Sequence, residues 1–162
     1  MPDLESLLQR LIEHRVEFVI VGGYAAMAHG VSLVTQDTDI CMRFSPENLR
    51  RLEKALSDLH PCHRMTPARL PLDLSPAKCK RLKNLYLATD LGQLDCLGAI
   101  AGIGGYDDVL SKTEELVLDI GTCRVLTLDA LIQAKQAMDR PRDQEAVRQL
   151  LAIKEKRTNK AR

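Results

Sequence analysis

The chain has no tryptophan, and only two Phe and three Tyr among 162 residues. That argues against a single-stranded nucleic-acid binder, which stacks successive bases on aromatic faces. It has no excess of charge either: 23 Lys+Arg stand against 22 Asp+Glu, for a formal net charge of +1. A general polyanion binder needs a whole-surface basic excess, so that class is disfavoured as well. Paired cysteines are also missing. Cys41, Cys62, Cys79, Cys96 and Cys123 are odd in number, well separated and form no Cys-x-x-Cys, against a disulfide framework or a tetrahedral zinc site. The one local cluster, His60-Pro61-Cys62-His63, offers soft ligands beside a proline, and so short a run rarely closes a metal site alone. No uncharged apolar run approaches the roughly 20 residues needed to span a bilayer. The opening Met-Pro-Asp-Leu-Glu lacks the basic and apolar regions of a secretory signal. The expectation is a soluble, cytoplasmic, single-domain protein with no membrane partner.

What is present is a core-forming pattern, with 45% hydrophobic and 28% charged residues. Leu4, Leu7, Leu8, Leu11 and Ile12 recur at helical spacing and predict an amphipathic helix over 3–15. Residues 16–21 are a largely β-branched strand closed by Gly22-Gly23, and 24–29 form a short helix stopped at Gly30. A strand over 37–43 leads to Ser45-Pro46, an N-cap followed by proline, and a helix to about Leu59. Prolines 61, 67, 71 and 76 make 60–80 read as irregular, a flap or substrate loop. Strands are expected at 84–90 and 93–97, a glycine-rich loop at 99–108, and a hairpin at 115–126. Thr127 caps a helix to about Met138, Pro141 breaks it, and Asp143 caps the last helix. The fold class is α+β with a small mixed sheet. Its organisation is a core over 1–126, two packed helices over 127–153, and a basic tail over 154–162 that frays.

The chemistry concentrates in Gly22-Gly23 and in Asp37-Thr38-Asp39-Ile40. Alternate residues of a strand share a face, so Asp37 and Asp39 project together, with Cα atoms roughly 6.5–7 Å apart. Carboxylates that close repel unless a cation lies between them, and hard divalent cations prefer oxygen ligands. One Mg²⁺, or two about 4 Å apart, would fit. The glycine turn ends a strand and opens a helix, so backbone N–H groups can meet a phosphate at close range. A phosphate cradle beside paired carboxylates is what phosphoryl or nucleotidyl transfer requires. The glycines match neither a P-loop nor the dinucleotide fingerprint.

This string, Gly22-Gly23-Tyr24-Ala25, His29-Gly30 and Thr35-x-Asp37-x-Asp39, resembles the signature of the DNA polymerase beta-like nucleotidyltransferase superfamily. It is similar in particular to a small bacterial branch that includes abortive-infection-type toxin nucleotidyltransferases. A helical Lys135 ahead of Arg140-Pro141-Arg142-Asp143 matches the C-terminal pattern of that branch. The resemblance spans about residues 5–150 and implies a nucleotidyltransferase fold, with transfer of an NMP from an NTP to an acceptor hydroxyl. It implies metal ligation by Asp37 and Asp39, phosphate binding by Gly22 and Gly23, and a nucleotide contact from Lys135. A third carboxylate is expected from a neighbouring strand. Asp95 is the candidate, since a charge within the apolar Leu94–Leu97 strand needs a reason; Asp90 suits a turn better. Thr35 either bonds near the metal strand or begins it, and His29 either contacts nucleotide or caps its helix. The acceptor is open: a tRNA end, a protein or a small molecule. The rival reading is a nucleotide- or partner-binding module without turnover, such as one component of a toxin–antitoxin pair with a protein partner.

Overall fold

In the computed structural model, which describes residues 2–161, helix α1 (Leu4–Glu13) opens the chain. The Asp3 side chain accepts from the Ser6 N–H at 3.0 Å, and Leu7, Leu8 and Leu11 are buried. Strand β1 (Phe18–Val21) is buried at every position and runs directly into α2 (Gly22–Ala28). Gly22 is therefore already helical, two residues earlier than expected, because its φ of +66° turns the chain without a connecting loop. Strand β2 (Asp37–Met42) and helix α3 (Pro46–Leu56) follow, with Ser45 accepting from the Asn48 N–H at 3.2 Å. Asn48 has no solvent exposure and ties strand to helix: it accepts from the Glu17 N–H and donates to the Glu17 and Arg43 carbonyls.

Residues 60–80 are less irregular than the prolines suggest. Cys62–His63 form a two-residue strand β3, and Ser75-Pro76 opens a four-residue helix α4 (Pro76–Cys79). Strands β4 (Asn84–Thr89) and β5 (Gly92–Leu97) make the expected hairpin. The expected loop at 99–108 holds a small two-stranded sheet, β6 (Ala99–Ile100) with β7 (Gly104–Gly105), followed by α5 (Tyr106–Leu110). Gly102 and Gly104, both at positive φ, allow that reversal. Strands β8 (Thr113–Leu118) and β9 (Gly121–Leu126) form the second hairpin, and helices α6 (Leu128–Met138) and α7 (Gln144–Lys160) close the chain.

Two expectations near the C-terminus are corrected. The stretch from Lys154 is helical and not irregular: α7 continues to Lys160, and Lys154 pairs with Asp129 at 2.8 Å while Arg157 reaches His29. Asp143 does not cap α7 through its side chain, because the carboxylate is taken by Arg140 at 2.6 Å and Lys135 at 3.5 Å.

The main sheet has seven strands in the order β3-β4-β5-β2-β1-β9-β8. It is mixed: β2 pairs antiparallel with β1 and parallel with β5, and β1 pairs parallel with β9. Ile20, Thr38, Ile40, Leu94 and Cys96 occupy one face at matching registers. All of these but Thr38 belong to one apolar core with the leucines of α1 and α3. Burial of that continuous apolar cluster is the main stabilising term. Alternation then directs Asp37, Asp39 and Asp95 to the other face. Among the described residues no helix is long and apolar enough to cross a membrane.

Candidate active site

Register decides which carboxylates meet. Asp39 is the direct partner of Asp95 in the parallel β2–β5 pair, and of Val21 in the antiparallel β1–β2 pair. Asp37 lies level with Gln93, two residues back on the same face. Sheet pairing thus brings together the three carboxylates singled out from the sequence. Asp90 is elsewhere, beyond the end of β4, where it accepts from His60 Nδ1 at 2.6 Å.

The glycine turn is part of the same constellation. A Cβ built on Gly22 would lie 2.2 Å from Asp39 Oδ2, so only glycine lets the carboxylate sit against the start of α2. At Gly23 a Cβ would meet Thr35 Oγ1 at 3.1 Å. Thr35 in turn donates to the Asp37 carbonyl at 3.1 Å and shapes the entry into β2. Of the two readings open for Thr35, the bond beside the carboxylate strand is the one observed.

Crowding has an electrostatic consequence. Burial, then Asp95 and Asp37, push the Asp39 carboxyl up to about 6, against the weaker pull of Lys135 and Arg64. Burial is the larger cause, and the two neighbouring carboxylates add to it. By its chemistry the donor set is one a hard divalent cation would take: Asp37 and Asp39 lie on one face, with Asp95 beside them. Asp95 is otherwise engaged, because Arg64 Nη2 donates to both its oxygens, at 2.5 and 2.6 Å. Among the described residues no group of three or more His, Cys, Asp or Glu side chains stands ready around one ion.

Arg64 escaped the sequence reading. It follows β3 in the proline-rich stretch, and no local pattern marks it. The only signal available was indirect: a carboxylate placed in a half-buried strand demands a counter-ion. Lys135 comes from the opposite flank, on α6. It is 11% exposed, stands 3.5 Å from Asp143, and is close enough to Asp39 to act on it. Lys135, Arg140 and Asp143 also line a cavity of about 200 Å³ where α6 meets α7. His29 is not at this face. It is buried, with Nε2 donating to the Leu126 carbonyl at 2.7 Å and Nδ1 accepting from Arg157 at 3.3 Å, which makes it a structural tie.

No protein-family model matches the chain. No curated protein matches it either. Solved structures do. Over 93% of this chain and 95% of that one, the lincosamide antibiotic adenylyltransferase LnuA, in its lincomycin-bound form, superposes with a TM-score of 0.61 at 14% identity. This is the nucleotidyltransferase fold. A Thermotoga maritima protein assigned to the nucleotidyltransferases, TM1012, matches with a TM-score of 0.57 at 19% identity, over 92% of this chain and 90% of its own. The antibiotic-resistance factor ANT(2'')-Ia, in complex with adenylyl-2''-tobramycin, matches with a TM-score of 0.56 at 15% identity, over 98% and 97%. The resemblance drawn from Gly22-Gly23 and Asp37-x-Asp39 thus agrees with the fold as a whole.

Proposed function

We propose that the chain is an Mg²⁺-dependent nucleotidyltransferase that moves an NMP from an NTP to the hydroxyl of a small-molecule acceptor. The observation that carries this reading is the packing of Asp39 against Gly22, with Asp95 as its register partner. The glycine turn that would cradle phosphate and the carboxylates that would hold a cation are thereby adjacent. Mg²⁺ bound there would neutralise the polyphosphate and lower the barrier to attack at the α-phosphorus.

Asp37 and Asp39 would hold the cation, and Asp95 would complete the set or take the acceptor proton. Backbone N–H groups at Gly22 and Gly23 would hold the non-transferred phosphates, which α2 is too short to do through its dipole alone. Lys135 would offset charge on the departing pyrophosphate. A small-molecule acceptor is favoured over RNA by the balanced net charge of +1. The neighbours LnuA and ANT(2'')-Ia, seen with lincomycin and adenylyl-2''-tobramycin, support the same choice.

The second reading, a nucleotide-binding module without turnover, draws on the engagement of Asp95 by Arg64. Thermal unfolding with each NTP, with and without Mg²⁺, beside an Asp37→Ala/Asp39→Ala variant, tests both. Ligand at 100 times its Kd stabilises by about 2.7 kcal/mol, a readily measured shift. A Mg²⁺-dependent shift lost in the variant supports the site and names the donor. Release of pyrophosphate with that donor and a panel of hydroxylated acceptors then separates enzyme from binder. No shift with any NTP overturns both readings.

A further inference from the structure

The Arg64 N–H donates to the Tyr86 carbonyl at 3.0 Å, so β4 fixes the backbone position of this residue. Its guanidinium lies over the Tyr86 ring, 5.6 Å from the centroid. Tyr86 and Asp95 are register partners in the β4–β5 hairpin, which puts ring and carboxylate on one face. The Arg64–Asp95 pair is largely withdrawn from water, with side chains 18% and 14% exposed.

The pair satisfies Asp95 and leaves Arg64 poorly used. A single nitrogen, Nη2, meets both carboxylate oxygens. Nη1 reaches only the Met65 thioether, at 3.2 Å. Nε is buried with no hydrogen-bond partner at all. A guanidinium presents five donors in a planar fork that matches carboxylate and phosphate oxygens, and a buried donor without an acceptor is costly. Arg64 is also close enough to Asp37 and Asp39 for its charge to act on both. Whatever enters between the glycine turn and the carboxylates comes within its field.

Resting on the nucleotidyltransferase reading above, we propose that Arg64 is a positioning residue with two alternative partners. It latches Asp95 while the carboxylate face holds no divalent cation, and donates to a nucleotide phosphate once Asp95 has turned to the cation. The Arg64 charge and its hydrogen bonds to both Asp95 oxygens disfavour a second cation on the same carboxylate, so cation and guanidinium compete for Asp95. The latch also spares Asp39 part of the repulsion from an unpaired neighbour, and so keeps the empty face assembled. Nothing covalent changes in the exchange; one ion pair replaces another.

The test is calorimetric titration of Mn²⁺ alone into the wild type, Arg64→Met, Arg64→Lys and Asp37→Ala, followed by NTP titration at saturating Mg²⁺. Arg64→Met should bind Mn²⁺ about ten-fold tighter and the NTP about ten-fold weaker, the scale of one charge-assisted hydrogen bond. Arg64→Lys keeps the charge without the fork, and should move both affinities in the same two directions by a smaller factor. A merely structural residue would shift both affinities together. Parallel shifts, or Mn²⁺ binding no tighter in either variant, overturn the latch; if Arg64→Met does not fold, Arg64→Lys decides. Mn²⁺ binding by the wild type that Asp37→Ala abolishes, without the opposed shifts, sinks the latch alone. If the wild type binds no Mn²⁺, the metal-site reading fails and the latch falls with it.

Discussion

Asp39 gives the sharpest quantitative handle on the site. In the native chain its carboxyl is pushed up to about 6 by burial, then by Asp95 and Asp37. In the unfolded chain an aspartate titrates near 3.9, roughly its unperturbed value. Between those two values the native state keeps a proton that the unfolded state has lost. Stability therefore falls as pH rises through that window, and stays lower above it. Each unit of difference is about 1.4 kcal/mol, so ionising Asp39 at neutral pH costs about 3 kcal/mol when no cation is supplied. Below the unfolded value the cost vanishes.

Asp39→Asn keeps the shape and removes the ionisation. In urea unfolding with EDTA present, the variant should be more stable than the wild type by about 2–3 kcal/mol at pH 7, and nearly equal at pH 4. The same variant should lose Mg²⁺-dependent nucleotide binding. In the wild type that binding should weaken as pH drops through about 6, because the cation competes with the proton for the ionised carboxylate. A gain of equal size at both pH values would show that the effect is packing and not charge. A variant less stable than the wild type at pH 7 would refute the reasoning outright.

Gly22→Ala should cost about 2 kcal/mol or more in urea unfolding, since it combines an alanine at positive φ with a methyl placed against Asp39. It should also abolish the Mg²⁺-dependent nucleotide shift, whereas Gly23→Ala, at ordinary φ and with a 3.1 Å contact to the Thr35 hydroxyl, should do measurably less on both counts. Thr38 stands on the core face of β2 with no exposure, and its hydroxyl lacks a partner. Thr38→Val should therefore raise stability by about 1 kcal/mol and leave nucleotide affinity unchanged; a loss of stability would mean that the hydroxyl is satisfied after all.

The parts of the site that were legible in the sequence are those written in local pattern. A β-branched run ended by Gly22-Gly23 specifies strand, turn and helix, and the two-residue period of β2 places Asp37 and Asp39 on one face whatever the sheet order. Asp95 was reachable because a charge inside Leu94–Leu97 conflicts with its surroundings. Arg64 was not, since its role arises from the pairing of β3 with β4 across more than twenty residues, and two-residue strands leave no periodic trace. The end of α7 was misread for a related reason. Its charged composition suggests a solvated, fraying end; residues 154–161 are indeed exposed, but the helix continues to Lys160, and Arg157 reaches back to His29. Asp143 sits where an N-cap belongs, yet Arg140 and Lys135 offer it charge-assisted bonds, which are stronger than a cap to a neutral N–H.

The two cations that face the carboxylates are held very differently, and this bears on the order in which ligands bind. Arg64, from the β3 flank, is committed to Asp95 at 2.5 Å, while Lys135, from α6, meets Asp143 only at 3.5 Å. With Arg64 spent on Asp95, Lys135 is left to balance Asp37 and Asp39 while also answering to Asp143. The carboxylate face thus carries more negative than positive side chains, and the nearby Asp95 and Asp37 add to the burial that raises Asp39. A free polyphosphate meets repulsion there in a poorly solvated setting, where charges interact more strongly than in bulk water. A divalent cation held by Asp37 and Asp39 would offset that repulsion and would compete for Asp95, leaving the Arg64 fork for a phosphate. Cation and nucleotide should accordingly bind with positive coupling, and by linkage each must raise the affinity of the other by the same factor. The comparison of NTP with and without Mg²⁺ therefore measures the charge state of the face directly. A nucleotide shift of equal size in the absence of the cation would mean that Lys135 and the backbone N–H groups of Gly22 and Gly23 dominate the site, and that its carboxylates are not the feature around which it is built.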